Sequence, residues 1–162
     1  MTDADAVLGT MATAQVALDR AYATGKYVVA HNRLAYLSPG GLEEVIAGRP
    51  APVAEVEDAK TGTWETVFAF RRDLWETIGG FDPRFRGFGH QVEAFFHAAK
   101  TLFGAERMTG FCYHLWHPYS ADAPNPAQSA SANLELVQRY WAASDDQVAM
   151  RALLNEYAAA NV

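Results

Sequence analysis

Three groups of residues in this sequence have types and spacings that can do chemistry. Asp3-Ala4-Asp5 puts two carboxylates at alternate positions. Held at a strand end, such a pair can give one oxygen to a hard divalent cation and another to a ribose or a bridging water, the arrangement that neutralises a diphosphate leaving group. The same two residues also read as ordinary solvated acids. Far downstream stands His114-Leu115-Trp116-His117. If that segment is extended, the two imidazoles point to opposite faces, so one of them at most serves a given site unless the chain turns between them. A packed, hydrogen-bonded histidine beside an aromatic ring is the competing reading.

The third group is the run Gly79-Gly80-Phe81-Asp82-Pro83-Arg84-Phe85-Arg86-Gly87-Phe88-Gly89, followed by His90, Gln91, Val92 and Glu93. Its glycines open backbone conformations closed to other residues, and Phe85 and Phe88 offer apolar faces for a sugar ring. A tight connection between two helices, anchored by its phenylalanines, would use the same residues. Cys112, the single cysteine, reads as a small buried apolar residue.

The elements that must position these groups follow from periodicity. Thr10 to Thr24 is alanine-rich, with Met11, Ala14, Leu18 and Tyr22 at helical spacing and Gly25 as a stop. Tyr27–Ala30 and Leu34–Leu37 read as short strands, and Ser38-Pro39 as the cap and first turn of a helix reaching about Ala47. Residues 48–62 carry two prolines, scattered charge and no periodicity, which predicts a surface loop. Glu65–Phe70 alternates toward a strand, Asp73–Ile78 fits a short helix stopped by Gly79-Gly80, and Gln91–Leu102 is an amphipathic helix ended by Gly104. Met108–Trp116 reads as a buried strand, 119–130 as a linker, and 132–143 and 145–159 as two helices, the second opened by Ser144-Asp145-Asp146.

Composition bounds the class of protein. A chain of 162 residues, half of them hydrophobic and a fifth charged, can bury a core without disulfides. The net charge of -6 and the absence of a Lys/Arg run argue against a nucleic-acid partner. No apolar stretch approaches the roughly 20 residues of a membrane span, and with one cysteine and no secretory pattern the expected location is cytoplasmic.

Taken in order, the three groups resemble parts of one family. Trp75 to Gly89 closely resembles the acceptor-binding segment of galactosyltransferase-like glycosyltransferases of the GT-A fold, within glycosyltransferase family 2 and its relatives. Asp3-Ala4-Asp5 looks like that family's DxD motif, and His114-Leu115-Trp116-His117-Pro118 resembles the strand-end segment that returns a histidine to the same metal.

The resemblance, which covers roughly residues 3–118, implies an α/β fold: a partial, Rossmann-like GT-A mixed sheet with flanking helices, followed by a C-terminal helical pair. It implies a domain over 1–118 that carries the metal and acceptor sides, a linker at 119–130 and a helical extension at 131–162. The implied activity is an inverting, divalent-metal-dependent hexosyl transfer from a nucleotide sugar, a uridine diphosphate sugar foremost, to a hydroxyl of a glycan or glycoprotein. The alternative is an inactive carbohydrate-binding or interaction module of the same descent. Mn²⁺ or Mg²⁺ would be held by Asp5 with His117 or His114; Asp3 and Arg33 would face the donor; and Gly80, Phe81, Asp82, Arg86, Phe88 and Gly89 would bind the acceptor. The family's nucleotide-binding half precedes the DxD motif, so a separately encoded half or a second copy of the chain is an expected partner. The family's segment continues with Gly-Trp-Gly and an acidic pair, whereas here Gly87-Phe88-Gly89 leads into His90-Gln91-Val92-Glu93. Gln91 and Val92 cannot take a proton, which passes the role of base to Glu93 or His90.

Overall fold

The computed structural model describes residues 5–52, 55–87, 89–118 and 126–159; Asp3 and Phe88, expected at the donor and acceptor sides, lie outside them. The architecture is α/β, with a mixed sheet, flanking helices and a C-terminal helical pair, as the sequence predicts. The chain forms two compact units, one of Met1–Ala23, Val28–Ala69 and Glu106–Tyr119, the other of Thr24–Tyr27, Phe70–Ala105 and Ser120–Val162.

The first unit is built on a four-stranded sheet. Strand β1 (Ala6–Leu8) pairs antiparallel with β7 (Phe111–His114), β7 runs parallel to β3 (Arg33–Leu37), and β3 pairs antiparallel with β4 (Val56–Thr61). Neither β1 nor β4 is legible in the sequence. Residues 56–61, read as part of a loop, form an edge strand whose side chains are nearly all exposed, so Val-Glu-Asp-Ala-Lys-Thr needs no apolar alternation and shows none. Helix α2 (Pro39–Ile46) starts as expected: the Ser38 hydroxyl accepts from the Gly41 amide at 3.1 Å and Pro39 fills the first turn.

Helix α1 (Met11–Thr24) forms where predicted but turns a different face inward. Ala17 and Ala21 are buried with Val28, Ala30 and Ala69, whereas Met11, Leu18 and Tyr22 are exposed. Alanines win the inner face because they let the helix backbone approach the strands closely, which the three longer side chains would prevent. A second, three-stranded sheet has the order β5 (Phe68–Ala69), β2 (Tyr27–Val29), β6 (Ala105–Arg107). The strand expected over Glu65–Phe70 shrinks to two residues because Thr66 adopts φ +81°, outside the extended region. The strand expected over Met108–Trp116 is confined to β7, and its last residues leave the sheet.

Between β2 and β3 lies His31, fully buried, with one ring nitrogen, Nε2, donating to the Glu65 carbonyl at 3.1 Å and Nδ1 without a partner among the described residues. Burial pushes its pKa below the ordinary 6.5, so the folded chain keeps it neutral where the unfolded chain would be protonated. The stability this contributes is therefore complete above the unfolded value and declines as pH falls from about 6.5 toward the folded value. His97, also lowered by burial, acts in the same direction. Urea midpoints are expected to be lower at about pH 5.5 than at about pH 8, and a midpoint that holds or rises on acidification contradicts the assignment.

In the second unit, α3 (Arg72–Ile78) ends on Gly79 in the left-handed conformation, and α4 (Gln91–Phe103) packs with α5 (Pro126–Ala142) and α6 (Gln147–Ala159). Helix α5 begins inside the span read as a linker, with Pro126 in its first turn, where a missing amide proton costs nothing. Its inner face is Asn133, Val137 and Tyr140, all buried, as are Met150, Leu153 and Leu154 of α6, which packs against it. Asp146 caps α6, one carboxylate oxygen accepting from the Val148 and Ala149 amides at 2.9 and 3.0 Å. Tyr27, Phe70, Trp75, Phe81, Phe95 and Phe96 form a continuous aromatic cluster with ring centroids 5.2–6.3 Å apart. Among the described residues no helix is long and apolar enough to cross a membrane.

Candidate functional site

Pairing of β1 with β7 places Ala6 opposite His114, and the Leu115 amide donates to the Asp5 carbonyl at 2.7 Å. Asp5 is thus fixed beside the point where β7 ends. Because the chain leaves the strand after His114, the alternation that would separate the two histidines is broken, and both meet one carboxylate. The Asp5 Oδ2 lies 3.1 Å from His117 Nε2 and 3.5 Å from His114 Nε2. The chain is not extended between the two imidazoles, so the alternation that would allow only one of them at the site does not apply.

The hydrogen bonds of the two rings define their chemistry. His114 Nδ1 lies 3.1 Å from the Leu115 carbonyl and His117 Nδ1 lies 3.3 Å from the Pro118 carbonyl. A carbonyl only accepts, so each Nδ1 donates, and in the neutral ring Nε2 is left as a lone pair. Two imidazole lone pairs then face a carboxylate, an arrangement that a cation between them would suit. The spacing suits one metal ion: bonds of about 2.1 Å put neighbouring ligand atoms about 3.0–3.4 Å apart at octahedral or tetrahedral angles. All three donor atoms lie within 4.8 Å of one another, on half-buried to exposed side chains that leave room for further ligands.

Tyr36 stacks on His114 with centroids 4.7 Å apart, and Lys60 Nζ lies 4.7 Å over the Tyr36 ring. Neither residue was a sequence-based candidate; Lys60 belongs to the strand the sequence did not disclose, and no pattern marks it. Arg33, the expected donor-side cation, is exposed at the opposite end of β3. It pairs in register with Phe111 while Tyr36 pairs with His114, which separates it from the cluster by three residues, about 10 Å of strand. The cation beside the cluster is Lys60.

The expected acceptor residues lie in the second unit, where their backbone is held firmly. Gly80 has φ +78° and a β-carbon there would sit 2.8 Å from the Trp75 indole, so the position excludes side chains twice over. Phe81 packs edge-on against Trp75 and Phe95. Asp82 is buried, and its carboxylate accepts from the Arg84 guanidinium at 2.7–3.0 Å, from the Arg84 amide at 2.9 Å and from the Tyr140 hydroxyl at 2.8 Å. Burial pushes its pKa up, but these donors outweigh it and hold the carboxyl below its ordinary range. Asp82 is therefore occupied within the protein.

Asn133 of α5 completes the support. Its side-chain carbonyl accepts from the Arg86 amide at 3.0 Å, and its amide donates to the Arg86 and Gly89 carbonyls at 2.8 and 3.3 Å. One buried side chain thus clamps both ends of the segment 86–89. The C-terminal helices, which lie outside the resemblance, are what hold its most specific segment.

At the start of α4, His90 takes the left-handed conformation with φ +65°, and its Nδ1 lies 2.9 Å from Glu93 Oε2. The other Glu93 oxygen accepts from the Trp141 indole at 3.0 Å. Gln91 and Val92 are half-buried in the first turn and carry no proton-accepting group. Asp5, His114 and His117 belong to the first unit, and Asp82, His90 and Glu93 to the second. No protein-family model, curated protein or solved structure matches this chain.

Proposed function

We propose that the chain serves metal-dependent, inverting glycosyl transfer from a nucleotide sugar, with a uridine diphosphate sugar as the donor class and a glycan or glycoprotein hydroxyl as the acceptor. The observation that supports it most is the convergence of Asp5, His114 and His117, distant in sequence, on one point that could hold a cation. A divalent ion held there would neutralise the diphosphate as it leaves. Lys60, one ring away, supplies a further positive charge for a phosphate, and Tyr36 fixes the His114 ring against which it stacks.

The donor set also chooses among metals. Two imidazoles and one carboxylate suit Mn²⁺ better than Mg²⁺, which prefers oxygen ligands and keeps its waters. Calorimetry is expected to show Mn²⁺ binding at least about tenfold tighter than Mg²⁺, and uridine diphosphate sugars binding with Mn²⁺ present but not after chelation. Absence of any metal-dependent binding of these sugars overturns the proposal. A second reading, an inactive carbohydrate-binding module, is favoured by the fact that the oxygens of both Asp82 and Glu93 are already engaged. Donor binding without release of uridine diphosphate in the presence of acceptor sugars would select it.

A further inference from the structure

We infer that Asp5, His114 and His117 make a site that prefers Zn²⁺ to Mn²⁺, and that Zn²⁺ held there closes the site to a chelating diphosphate. The inference rests on the metal-dependent reading above and adds a regulation of that same site by a competing ion. Every residue it uses belongs to the first unit. Two of the three donor atoms are imidazole nitrogens and the third is a carboxylate oxygen. Imidazole suits Zn²⁺, whereas Mn²⁺ favours oxygen ligands and stands lowest in affinity among the first-row divalent ions at a given set of donors.

The imidazoles are held as metal-binding imidazoles commonly are. His114 Nδ1 donates to the Leu115 carbonyl at 3.1 Å and His117 Nδ1 to the Pro118 carbonyl at 3.3 Å, and both Nε2 atoms face Asp5. Such outer hydrogen bonds fix the tautomer, orient the ring and raise its basicity toward a metal. The Tyr36 ring stacked on His114, centroids 4.7 Å apart, restrains that ring further. The Asp5 oxygen stands 3.1 Å from one nitrogen and 3.5 Å from the other. These separations bracket the distance of about 3.3–3.4 Å between neighbouring ligands of a tetrahedral zinc.

Coordination number makes the two ions unequal toward a ligand. Three protein donors leave one position of a zinc tetrahedron but three of a manganese octahedron. A diphosphate that chelates through one oxygen of each phosphate needs two positions, so it fits the octahedral ion and not the tetrahedral one. The side chains of Asp5, His114 and His117 are 32, 23 and 51 % exposed, which lets ions exchange without unfolding. Zn²⁺ would thus withdraw the site from a nucleotide sugar, and its removal would return it.

Displacement is read by the electron spin resonance of free Mn²⁺. An equivalent amount of Zn²⁺ is expected to release most of the bound Mn²⁺, with a Zn²⁺ Kd at least about tenfold lower, and bound Mn²⁺ that survives it overturns the preference. His117→Ala changes an exposed side chain and removes one nitrogen, so it should weaken Zn²⁺ binding more than Mn²⁺ binding. An unchanged ratio of the two affinities places the zinc elsewhere and overturns the site. Co²⁺ in place of zinc is expected to give the intense visible absorption of a tetrahedral centre; the weak spectrum of an octahedral one overturns the single open position. By calorimetry, uridine diphosphate is expected to bind the Zn²⁺-loaded chain at least about tenfold more weakly than the Mn²⁺-loaded chain, and equal binding overturns the closing. A Mn²⁺-loaded chain that binds no uridine diphosphate overturns the sugar-transfer reading and the closing with it, while the release of Mn²⁺ by Zn²⁺ still decides the preference.

Discussion

Replacing Asp5 with asparagine is expected to weaken Mn²⁺ binding by more than about a hundredfold while leaving the fold intact. Loss of a residue that only orients a ligand already costs about 10–100-fold in metal affinity, and Asp5 would be a direct ligand and is the single negative charge of the cluster. Asparagine preserves the volume and retains one oxygen, but its amide turns a donor toward His117 Nε2 or His114 Nε2. The lone pairs that face Asp5 at 3.1 and 3.5 Å would then be satisfied without a cation. Titration followed by the electron spin resonance of free Mn²⁺ reads the change directly, and an unchanged midpoint of urea unfolding confirms that folding was spared. Asp5→Asn that binds Mn²⁺ as tightly as the unsubstituted chain would reduce the cluster to an ion pair. His114→Ala is a weaker test, because it also removes the stack on Tyr36.

Replacing Asp82 with alanine is expected to be the most destabilising single change in the second unit, lowering the unfolding free energy by about 3 kcal/mol or more. Asp82 is 4 % exposed, and its carboxylate accepts from the Arg84 guanidinium, the Arg84 amide and the Tyr140 hydroxyl. Its removal takes from the buried Tyr140 hydroxyl the acceptor at 2.8 Å and from Arg84 a carboxylate it shares with Glu156 at 2.9 Å. A graded series separates the contributions. Tyr140→Phe removes one hydrogen bond and should cost about 1 kcal/mol, with Asp82→Asn between it and the alanine variant. The pH dependence has a definite sign. Asp82 is held below its ordinary range, so its contribution is complete above the unfolded value and is lost as pH falls through the folded value. In acid the alanine and unsubstituted chains should therefore converge in stability. Chemical denaturation at neutral pH and in acid measures both effects, and equal stability of Asp82→Ala at neutral pH would refute the network.

The same network explains how a segment rich in glycine can be ordered enough to bind anything. Backbone freedom at Gly80 allows a turn against Trp75, but Asp82, Arg86 and Gly89 are held from α5, by Tyr140 on Asp82 and Asn133 on Arg86 and Gly89. In the sequence these helices read only as an accessory pair, because hydrogen bonds that run from one residue to another 47 or 58 positions away leave no local pattern.

What the sequence determined by itself is what local physics encodes. Helical spacing of apolar residues marked α1 and α4; serine followed by proline marked the start of α2; glycine marked the end of α3; Ser144-Asp145-Asp146 marked the start of α6; and Cys112, read as buried, is fully buried. Asp5, His114 and His117 and the pair His90 and Glu93 were also visible as types. What only the tertiary structure decided is which of them meet and in what chemical state. Strand β4 was hidden because an edge strand exposed on both faces needs no apolar residues, and with it Lys60 was hidden. The inner face of α1 was misread because close packing favoured its alanines over its larger side chains. Both histidines reach Asp5 because β7 stops at His114, an event fixed by pairing with β1 and β3 rather than by the residues of the segment itself. The protonated nitrogen of each ring, and with it the difference between a ligand, a base and an ordinary surface histidine, depends on a hydrogen-bond partner that the fold alone supplies.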